Sequence, residues 1–162
     1  MNYIIDGFNL AFKIQNISQS IKNGNIGKAI TQLVHFVNSK VNISTSKVII
    51  VFDGQDDNQP KKAKLNGVDI LFSKKPQSAD DIVRDFVRKT DNINNWTIVT
   101  SDNEIIYTAK DHGAETMKSS DFINMKKKAT SKERFETEKN KRNPENIDVD
   151  YWREIFNSGK SE

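Results

Sequence analysis

The sequence contains no cysteine and only two histidines in 162 residues. Without cysteine, disulfide scaffolds, thiolate zinc sites and cysteine nucleophiles are excluded, and two histidines disfavour a histidine-rich metal site. No apolar run approaches the roughly 20 residues that a membrane-spanning helix requires. The chain reaches Asp6 without the basic and apolar regions of a signal peptide. We therefore predict a cytoplasmic protein that has no membrane partner.

A large excess of charge of either sign is also missing. The 25 Lys+Arg residues nearly balance the 22 Asp+Glu residues, which gives a net charge of +3. Hydrophobic residues make up 35% of the chain and charged residues 29%, a composition typical of globular proteins and not of disordered ones. The length fits a single domain with a substantial core, and the net charge by itself does not indicate a polyanionic partner.

The acidic residues are divided unevenly between aspartate and glutamate. Residues 1–122 contain 12 Asp and 2 Glu, whereas residues 123–162 contain 2 Asp and 6 Glu. Aspartate favours helix caps, turns, strand ends and metal sites, and glutamate favours helices. We therefore predict an α/β domain over residues 1–123, followed by a charged, helical extension over residues 124–162.

Hydrophobic patterning predicts an alternation of strands and helices. The apolar run from Val48 to Phe52 is typical of a central parallel strand that is covered on both faces. The polar segment 55–67 is predicted to be a loop. The other predicted strands are 2–5, 68–72, 96–100 and 115–117, and the predicted helices are 26–39, 78–89, 103–111 and a last one that starts at Asp121. This order predicts a mainly parallel sheet with helices on both faces.

Three of the predicted strands lead directly into aspartate. Asp6, Asp53 and Asp102 stand at strand ends, and the pair Asp80-Asp81 opens a predicted helix. Because the carboxyl ends of parallel strands lie along one edge of a sheet, these side chains are expected to converge there. Converging carboxylates repel one another unless a proton or a cation lies between them. Hard oxygen ligands suit Mg²⁺ or Mn²⁺, and a carboxylate cluster of this kind is suited to phosphodiester hydrolysis.

Each of these acids also has an ordinary structural interpretation. Asp-Gly after a strand is a common turn, and Asp before a helix is often an N-cap. The joint pattern of three strand ends and one helix start favours a metal site over a set of coincidental caps and turns.

Several short motifs, taken in order, resemble a known nuclease family. They are IIDGFN at 4–9, VFDG at 51–54, ADDIV at 79–83 and VTSD at 99–102. The first resembles the DGYN signature of NYN-domain nucleases, with Phe8 in place of Tyr. The segment HGAETMKSSDF at 112–122 is similar to the closing segment of that family. The resemblance covers roughly residues 1–123 and is greatest to the bacterial YacP-like branch of the PIN-like superfamily.

The resemblance implies a three-layer α/β/α PIN-like fold and a metal-dependent endoribonuclease that uses Mg²⁺ or Mn²⁺. Asn9 would orient Asp6 or a water molecule, or contact a phosphate, and Asp53 would be an additional acid at the same edge. Adjacent helix residues point about 100° apart, so both members of the Asp80-Asp81 pair need not reach the metal. The acids that match the family's metal site are Asp6, Asp80, Asp81 and Asp102.

The resemblance also implies partners. Some YacP-like proteins are associated with ribosomes and cleave mRNA during translation, which makes RNA the expected substrate and the ribosome a candidate partner. Ser101 is expected to contact RNA through its backbone or a phosphate, with a helix cap as the alternative. Basic groups should flank an acidic site that holds RNA, although the two arginines also fit an ordinary solvated helix face. The candidates are Lys61, Lys62, Lys64, Lys74, Lys75, Arg84 and Arg88.

Three functions compete at this point. The first is the metal-dependent endoribonuclease, and the second is an RNA- or ribosome-binding module of the same fold with little or no catalysis. In the second case the basic stretch 118–142 would hold the RNA. The third is a phosphatase or receiver-like protein that uses a strand-end aspartate as nucleophile or phosphoacceptor. The third is disfavoured because Asp6 is followed by Gly-Phe, without the second acid that an aspartyl phosphatase requires.

Overall fold

The computed structural model describes residues 1–54 and 60–126. Its centre is a six-stranded sheet with the strand order β3-β4-β2-β1-β5-β6. All neighbouring strands are parallel except β3, which runs antiparallel to β4 at one edge. The strands are β1 (Asn2–Asp6), β2 (Val48–Phe52), β3 (Lys62–Leu65), β4 (Val68–Phe72), β5 (Trp96–Val99) and β6 (Glu115–Met117).

Helices cover both faces of this sheet, which confirms the predicted α/β/α architecture. The strands alternate their side chains between the faces: Ile5 packs in one apolar cluster and Ile4 in the other. In the described part of the chain, the helices are α1 (Gly7–Ala11), α2 (Gln15–Lys22), α3 (Ile26–Asn38), α4 (Ala79–Lys89), α5 (Asn103–Asp111) and α6 (Ser119–Asn124). The cluster around Ile5 contains side chains of α1, α2, α3 and α6, and the cluster around Ile4 contains those of α4 and α5.

The central strands form as their composition predicts. All five residues of β2 are buried, because this strand lies between β1 and β4 and is covered on both faces. In β1, Ile4 and Ile5 have no exposed surface. The central position of β1 and β2 is therefore consistent with their apolar runs, which a sheet covered on both faces can bury.

The prediction of a loop over 55–67 is wrong for its second half, and its first part, 55–59, lies outside the described residues. Residues 62–65 form β3, and Leu65 pairs with Val68 across a two-residue turn. Asn66 and Gly67 both have positive φ, 48° and 81°, as a tight hairpin of this type requires. Asn-Gly between two strands is a strong hairpin signal that the prediction overlooked. Residues 7–22, for which no element was predicted beyond a turn, form α1 and α2.

A substitution at the hairpin turn tests this register. Gly67→Ala should lower the free energy of unfolding by about 1–2 kcal/mol, because an L side chain is strained at this φ and its Cβ would lie 2.6 Å from Ile43 Cδ1. Gly24→Ala is the matched control, since Gly24 has a similar φ of +76° but open space around it. Urea unfolding should show the larger loss for Gly67→Ala; an equal loss in both variants would show that the contact with Ile43 contributes nothing.

The predicted C-terminal extension lies almost wholly outside the described residues. Helix α6 ends at Asn124, and the amine of Lys40 donates a hydrogen bond to the carbonyl of Met125 at 2.9 Å. The end of the described chain is therefore attached to the face that carries α3. No helix within residues 1–54 and 60–126 is long and apolar enough to cross a membrane.

Candidate active site

Four of the predicted acids lie at the carboxyl edge of three adjacent strands. Asp6 is the last residue of β1 and pairs in register with Val51, so Asp53 follows two positions further along β2. On the other side of β1, Ile5 pairs with Val99, which brings Thr100 level with Asp6 and places Asp102 just beyond. Asp80 enters the same edge from the first turn of α4.

The side chain of Asp6 has the environment expected of a crowded, half-buried carboxylate. Burial, followed by the negative charges of Asp80 and Asp53, raises its pKa from the ordinary 3.8 to about 6. Hydrogen bonds from the Thr100 hydroxyl and the backbone N–H of Asn9 oppose the rise. Asp6 is therefore held in place by two donors although its ionisation is disfavoured.

Asp80 links the acids to one another. Burial raises the pKa of its carboxyl first, and the neighbouring charges of Asp102 and Asp53 add to the rise, while Arg84 lowers it. Because Asp80 also raises the pKa of Asp6, all four acids interact electrostatically at one edge. We call Asp6, Asp53, Asp80 and Asp102 the carboxylate cluster.

Asp53 positions the helix that carries Asp80. Its Oδ1 accepts a hydrogen bond from the backbone N–H of Ala79 at 2.8 Å and lies 3.4 Å from the donating hydroxyl of Ser73. The Ser73 hydroxyl in turn accepts from the N–H of Gly54. A strand-end carboxylate at a helix N-terminus satisfies an otherwise unpaired N–H, and here it sets the distance between β2 and α4.

Asp81 has a different role from Asp80. Its Oδ2 accepts hydrogen bonds from the backbone N–H of Ser78 at 2.9 Å and from the Ser78 hydroxyl at 3.1 Å. The Ser78 hydroxyl accepts from the N–H of Asp81 in return, which completes a capping box at the start of α4. These hydrogen bonds lower the pKa of Asp81. The structure therefore brings Asp80 into the cluster and engages Asp81 at the helix cap.

The sequence position of Asp102 allowed a helix cap or a place among the clustered acids, and in the structure Asp102 has both. It is the N-cap of α5, and its Oδ1 accepts from the N–H groups of Glu104 and Ile105 at 2.9 and 3.4 Å. The same carboxylate raises the pKa of Asp80. A cap fixes the orientation of a side chain, so this carboxylate faces the cluster from a rigid position.

Thr100 connects two members of the cluster, and sequence reasoning missed it. The side chain is fully buried, its hydroxyl donates to Asp6 Oδ2 at 3.3 Å, and it accepts the N–H of Asp102 at 3.1 Å. One hydroxyl thus ties the end of β1 to the loop that follows β5. The available signal was the Thr-Ser-Asp sequence at a strand end, which was interpreted through its aspartate alone.

Removal of this hydroxyl should affect both stability and ionisation. Thr100→Val should cost about 1–2 kcal/mol, because the partly buried N–H of Asp102 loses its acceptor, and should raise the pKa of Asp6 further, because a donor to its carboxylate is lost. Urea unfolding and an NMR titration of the Asp6 carboxyl measure these effects. Thr100→Ser keeps the hydroxyl and is the control; a pKa in Thr100→Val equal to that of the wild type would contradict this role.

Asn9 connects the cluster to α6. Its side-chain oxygen accepts from the N–H of Ser101 at 3.1 Å and from the Ser119 hydroxyl at 2.7 Å, while its own backbone N–H donates to Asp6. The backbone N–H of Asn9 therefore helps to orient Asp6, whereas its side-chain oxygen is engaged within the protein, so the predicted role of the Asn9 side chain at the site stays a prediction. Because the backbone N–H of Ser101 donates to the side-chain oxygen of Asn9, it holds the loop beside Asp102 in place.

The family assignment rests on a match over nearly the whole chain. The sequence model described as "YacP-like NYN domain" matches residues 3–157. The chain belongs to the YacP-like NYN family. NYN domains are PIN-like nuclease domains, and the nuclease character predicted from the motifs is confirmed at this level.

Solved structures support the fold of this YacP-like domain. The crystal structure of Rae1 (YacP) from Bacillus subtilis has a TM-score of 0.63 at 18% identity and covers 99% of this chain and 89% of the Rae1 chain. A mutant form of the same protein has a TM-score of 0.61 at 18% identity, with coverage of 76% and 72%. No curated protein matches the sequence. At this identity the similarity shows the α/β/α fold alone.

The basic residues predicted to bind RNA are placed unevenly around the YacP-like domain. Lys62 and Lys64 lie on the edge strand β3, where Lys64 is 3.9 Å from Asp69. Arg84 is the nearest to the cluster, and its guanidinium contacts Glu104 at 2.6 Å.

The remaining predicted cations lie beside the edge strand or around α4. Arg88 lies 3.8 Å from Asp85. Lys61 immediately precedes β3, and Lys74 and Lys75 lie in the segment between Ser73, which contacts Asp53, and the start of α4. Both arginines of α4 are therefore held by acids of the domain itself.

The donor set of the cluster suits a hard divalent cation. Its members are carboxylates, the ligands that Mg²⁺ and Mn²⁺ prefer. The pKa values of Asp6 and Asp80 are raised first by burial and then by repulsion from neighbouring carboxylates, and a bound cation would relieve that repulsion. Within residues 1–54 and 60–126, no three His, Cys, Asp or Glu side chains are already arranged to hold a metal ion. The carboxylates have the right chemistry, and their side chains would have to approach one another further to share an ion.

Proposed function

We propose that the protein is a Mg²⁺- or Mn²⁺-dependent endoribonuclease that hydrolyses RNA phosphodiester bonds at the carboxylate cluster. The observation that carries the proposal is the convergence of Asp6, Asp53, Asp80 and Asp102 on one sheet edge, where burial and mutual repulsion raise the pKa of Asp6 and Asp80. Perturbed acids that gather in this way are characteristic of catalytic sites. Membership of a PIN-like nuclease family supports the same reaction.

Asp6, Asp80 and Asp102 are the residues that would hold the metal. A divalent cation bound there would supply Lewis-acid activation of water and charge neutralisation for in-line attack on phosphorus. Asp53 supports the site indirectly. Its Oδ1 accepts a hydrogen bond from the Ala79 N–H and so holds the N-terminus of α4, which carries Asp80, in place. Products with 5′-phosphate and 3′-hydroxyl ends are expected.

The residues around the cluster keep it in a fixed geometry. The Thr100 hydroxyl and the Asn9 N–H orient the carboxylate of Asp6, and the two N–H groups at the start of α5 orient that of Asp102. The carboxylates of Asp6 and Asp102 are thus oriented by hydrogen-bond donors of the protein. Because they are already oriented, they need to reorganise less when substrate binds. Arg84, paired with Glu104, provides a positive charge beside Asp80.

The substrate proposed for this site is mRNA, with the ribosome as partner. The support is the resemblance to the YacP-like branch, in which some members cleave mRNA during translation. Both the RNA substrate and the ribosome are additions to the nuclease assignment, and each requires its own assay.

Cleavage by the purified protein tests the proposal. Single-stranded RNA should be cut in the presence of Mg²⁺ or Mn²⁺ and should stay intact with EDTA, and the assay should be repeated on translating ribosomes. Asp85→Asn is the matched control for Asp6→Asn in this assay. Asp85 is an acid of α4 that contacts Gln77 and Arg88 and not the cluster. Cleavage that persists in EDTA would contradict metal dependence.

An RNA- or ribosome-binding module with little or no catalysis is the second candidate. One observation favours it: in the described ranges, no three acids are already arranged to hold a metal ion. This alternative predicts that the protein associates with RNA or ribosomes. It also predicts that cells with the Asp6→Asn variant behave like cells with the wild-type protein. If they behave like cells that lack the protein, the nuclease is favoured.

A further inference from the structure

Phe12 is an exposed aromatic side chain close to the carboxylate cluster. Three large hydrophobic residues of the described ranges are exposed, namely Met1, Phe12 and Tyr107, and Phe12 has 53% of its surface exposed. It follows α1, the helix that begins immediately after Asp6. The two residues before it, Leu10 and Ala11, are buried at 0% and 1% exposure, so the backbone that carries the ring is firmly anchored.

The ring of Phe12 belongs to a row of aromatic side chains that starts at the cluster. Phe52, which precedes Asp53, packs edge-on against Phe8 with ring centroids 5.0 Å apart. Phe8 lies 6.2 Å from Phe12 in turn. The half-buried ring of Phe8, itself held against the buried Phe52, restricts the orientations of Phe12, so that Phe12 presents a preoriented aromatic surface to solvent.

The separation of the Asp6 and Phe12 backbones suits a neighbouring nucleotide. The N–H of Phe12 donates to the carbonyl of Phe8 at 3.0 Å, so helical geometry continues to Phe12. Six residues at the helical rise of about 1.5 Å place its Cα about 9 Å from that of Asp6. A base beside the phosphate that is being cut would reach the ring from there.

The charges around the cluster do not favour RNA binding through ion pairs, so part of the affinity for RNA has to come from another kind of contact. RNA is an anion, and the cluster is acidic. The nearby cations Arg84 and Arg88 are paired with Glu104 and Asp85. Stacking of a base on an aromatic ring is not weakened by these acids, and the exposed Lys13 next to Phe12 adds a cation for the adjoining phosphate.

We infer that Phe12 is a substrate-positioning residue that stacks on an unpaired base of single-stranded RNA next to the phosphate held at the carboxylate cluster. This inference rests on the proposed function. The chemistry favours RNA over a protein partner because a single ring, a lysine and a phosphodiester-cleaving edge lie together, whereas a protein docking surface usually presents a larger contiguous apolar patch.

The test measures RNA binding separately from cleavage. In the Asp6→Asn background, with EDTA present, fluorescence anisotropy of a labelled single-stranded RNA should show binding about tenfold weaker for Phe12→Ala, since one stacked base contributes about 1–3 kcal/mol. Phe12→Leu keeps the apolar contact with Phe8 and should be similarly weak, whereas Phe12→Trp should bind as tightly as Phe12. Tyr107→Ala removes an aromatic ring with 68% exposure from α5 and should leave binding unchanged.

A 2-aminopurine base in the RNA gives a direct readout of stacking. Its fluorescence should be quenched on binding to proteins with Phe or Trp at position 12 and not with Ala or Leu. Equal binding and quenching by Phe12→Leu would overturn the inference, as would normal RNA binding by Phe12→Ala together with lost ribosome association, which would assign the ring to a protein contact. Because no cleavage is needed, failure of the proposed hydrolysis and failure of stacking give different results.

Discussion

Asp6→Asn should lower RNA cleavage at least about 100-fold and, in the same molecule without metal, should raise the free energy of unfolding at neutral pH. The first effect follows because Asn cannot supply the negative charge that a metal ligand requires. The second follows because burial makes the Asp6 carboxylate unfavourable in the folded state. Asn keeps an oxygen that accepts from Thr100 and from the Asn9 N–H, so the local geometry is preserved.

The sign of the stability effect depends on pH. The folded-state pKa of about 6 lies above the ordinary 3.8, so the folded protein binds this proton more tightly than the unfolded chain does. Ionisation of Asp6 therefore costs nothing below pH 3.8, costs more between 3.8 and 6, and costs its full amount of about 3 kcal/mol above pH 6. Asp6→Asn removes this cost. In EDTA, its stabilising effect should be present at pH 7.5 and absent near pH 3.5.

Urea unfolding at the two pH values, with cleavage assays on the same preparations, measures both effects. Asp85→Asn is the control for loss of a charge outside the cluster. A variant that is inactive and also destabilised at pH 7.5 would show that Asp6 contributes to folding in the native protein and would contradict the charge repulsion described for the cluster.

Gly7→Ala should lower the free energy of unfolding by about 1–3 kcal/mol. A Cβ at Gly7 would lie 2.6 Å from Cδ1 of Phe52, and the Phe52 ring cannot move away easily because it packs between Phe8 and Phe72. Alanine is the better helix former by up to about 1 kcal/mol, which offsets only part of the clash. Glycine after Asp6 is thus required by packing against Phe52, because Gly7 lies in α1 without a positive φ.

The same substitution should disturb the site, because Phe52 immediately precedes Asp53. A displaced Phe52 shifts the carboxylate that anchors α4 through the Ala79 N–H, and therefore Asp80 moves with it. A double-mutant cycle with Phe52→Leu tests the contact: the smaller side chain should remove part of the cost of Gly7→Ala. Additive losses in the double variant would show that the two residues do not interact.

The sequence predicted the parts of the fold that depend on long apolar patterns. The run Val48–Phe52 and the strand ends at Asp6 and Asp102 placed the carboxyl edge correctly, because burial on both faces leaves few alternatives. Short elements were missed. Strand β3 alternates polar and apolar residues over four positions, and helix α1 covers five. For β3 the local signal was the Asn-Gly turn that follows it, whereas the five residues of α1 are too few to show a helical period.

The residues of the candidate site were likewise only partly predictable from local sequence. Asp6, Asp53, Asp80 and Asp102 were predicted to share one sheet edge because strand ends and helix starts are visible in sequence. The choice between Asp80 and Asp81 was left open, although the spacing of Ser78 and Asp81 is that of a capping box and points to Asp81 as the residue that caps the helix. Thr100 was missed because its hydroxyl bridges two acids that are far apart along the chain.

The claim that the carboxylate cluster holds a catalytic cation is tested most directly by locating the ion. Crystals grown with Mn²⁺ should show an anomalous difference peak between the carboxylates of Asp6, Asp80 and Asp102, and Asp80→Asn should weaken or abolish it. A peak elsewhere on the domain, with this edge empty in a protein that still cleaves RNA, would contradict the account.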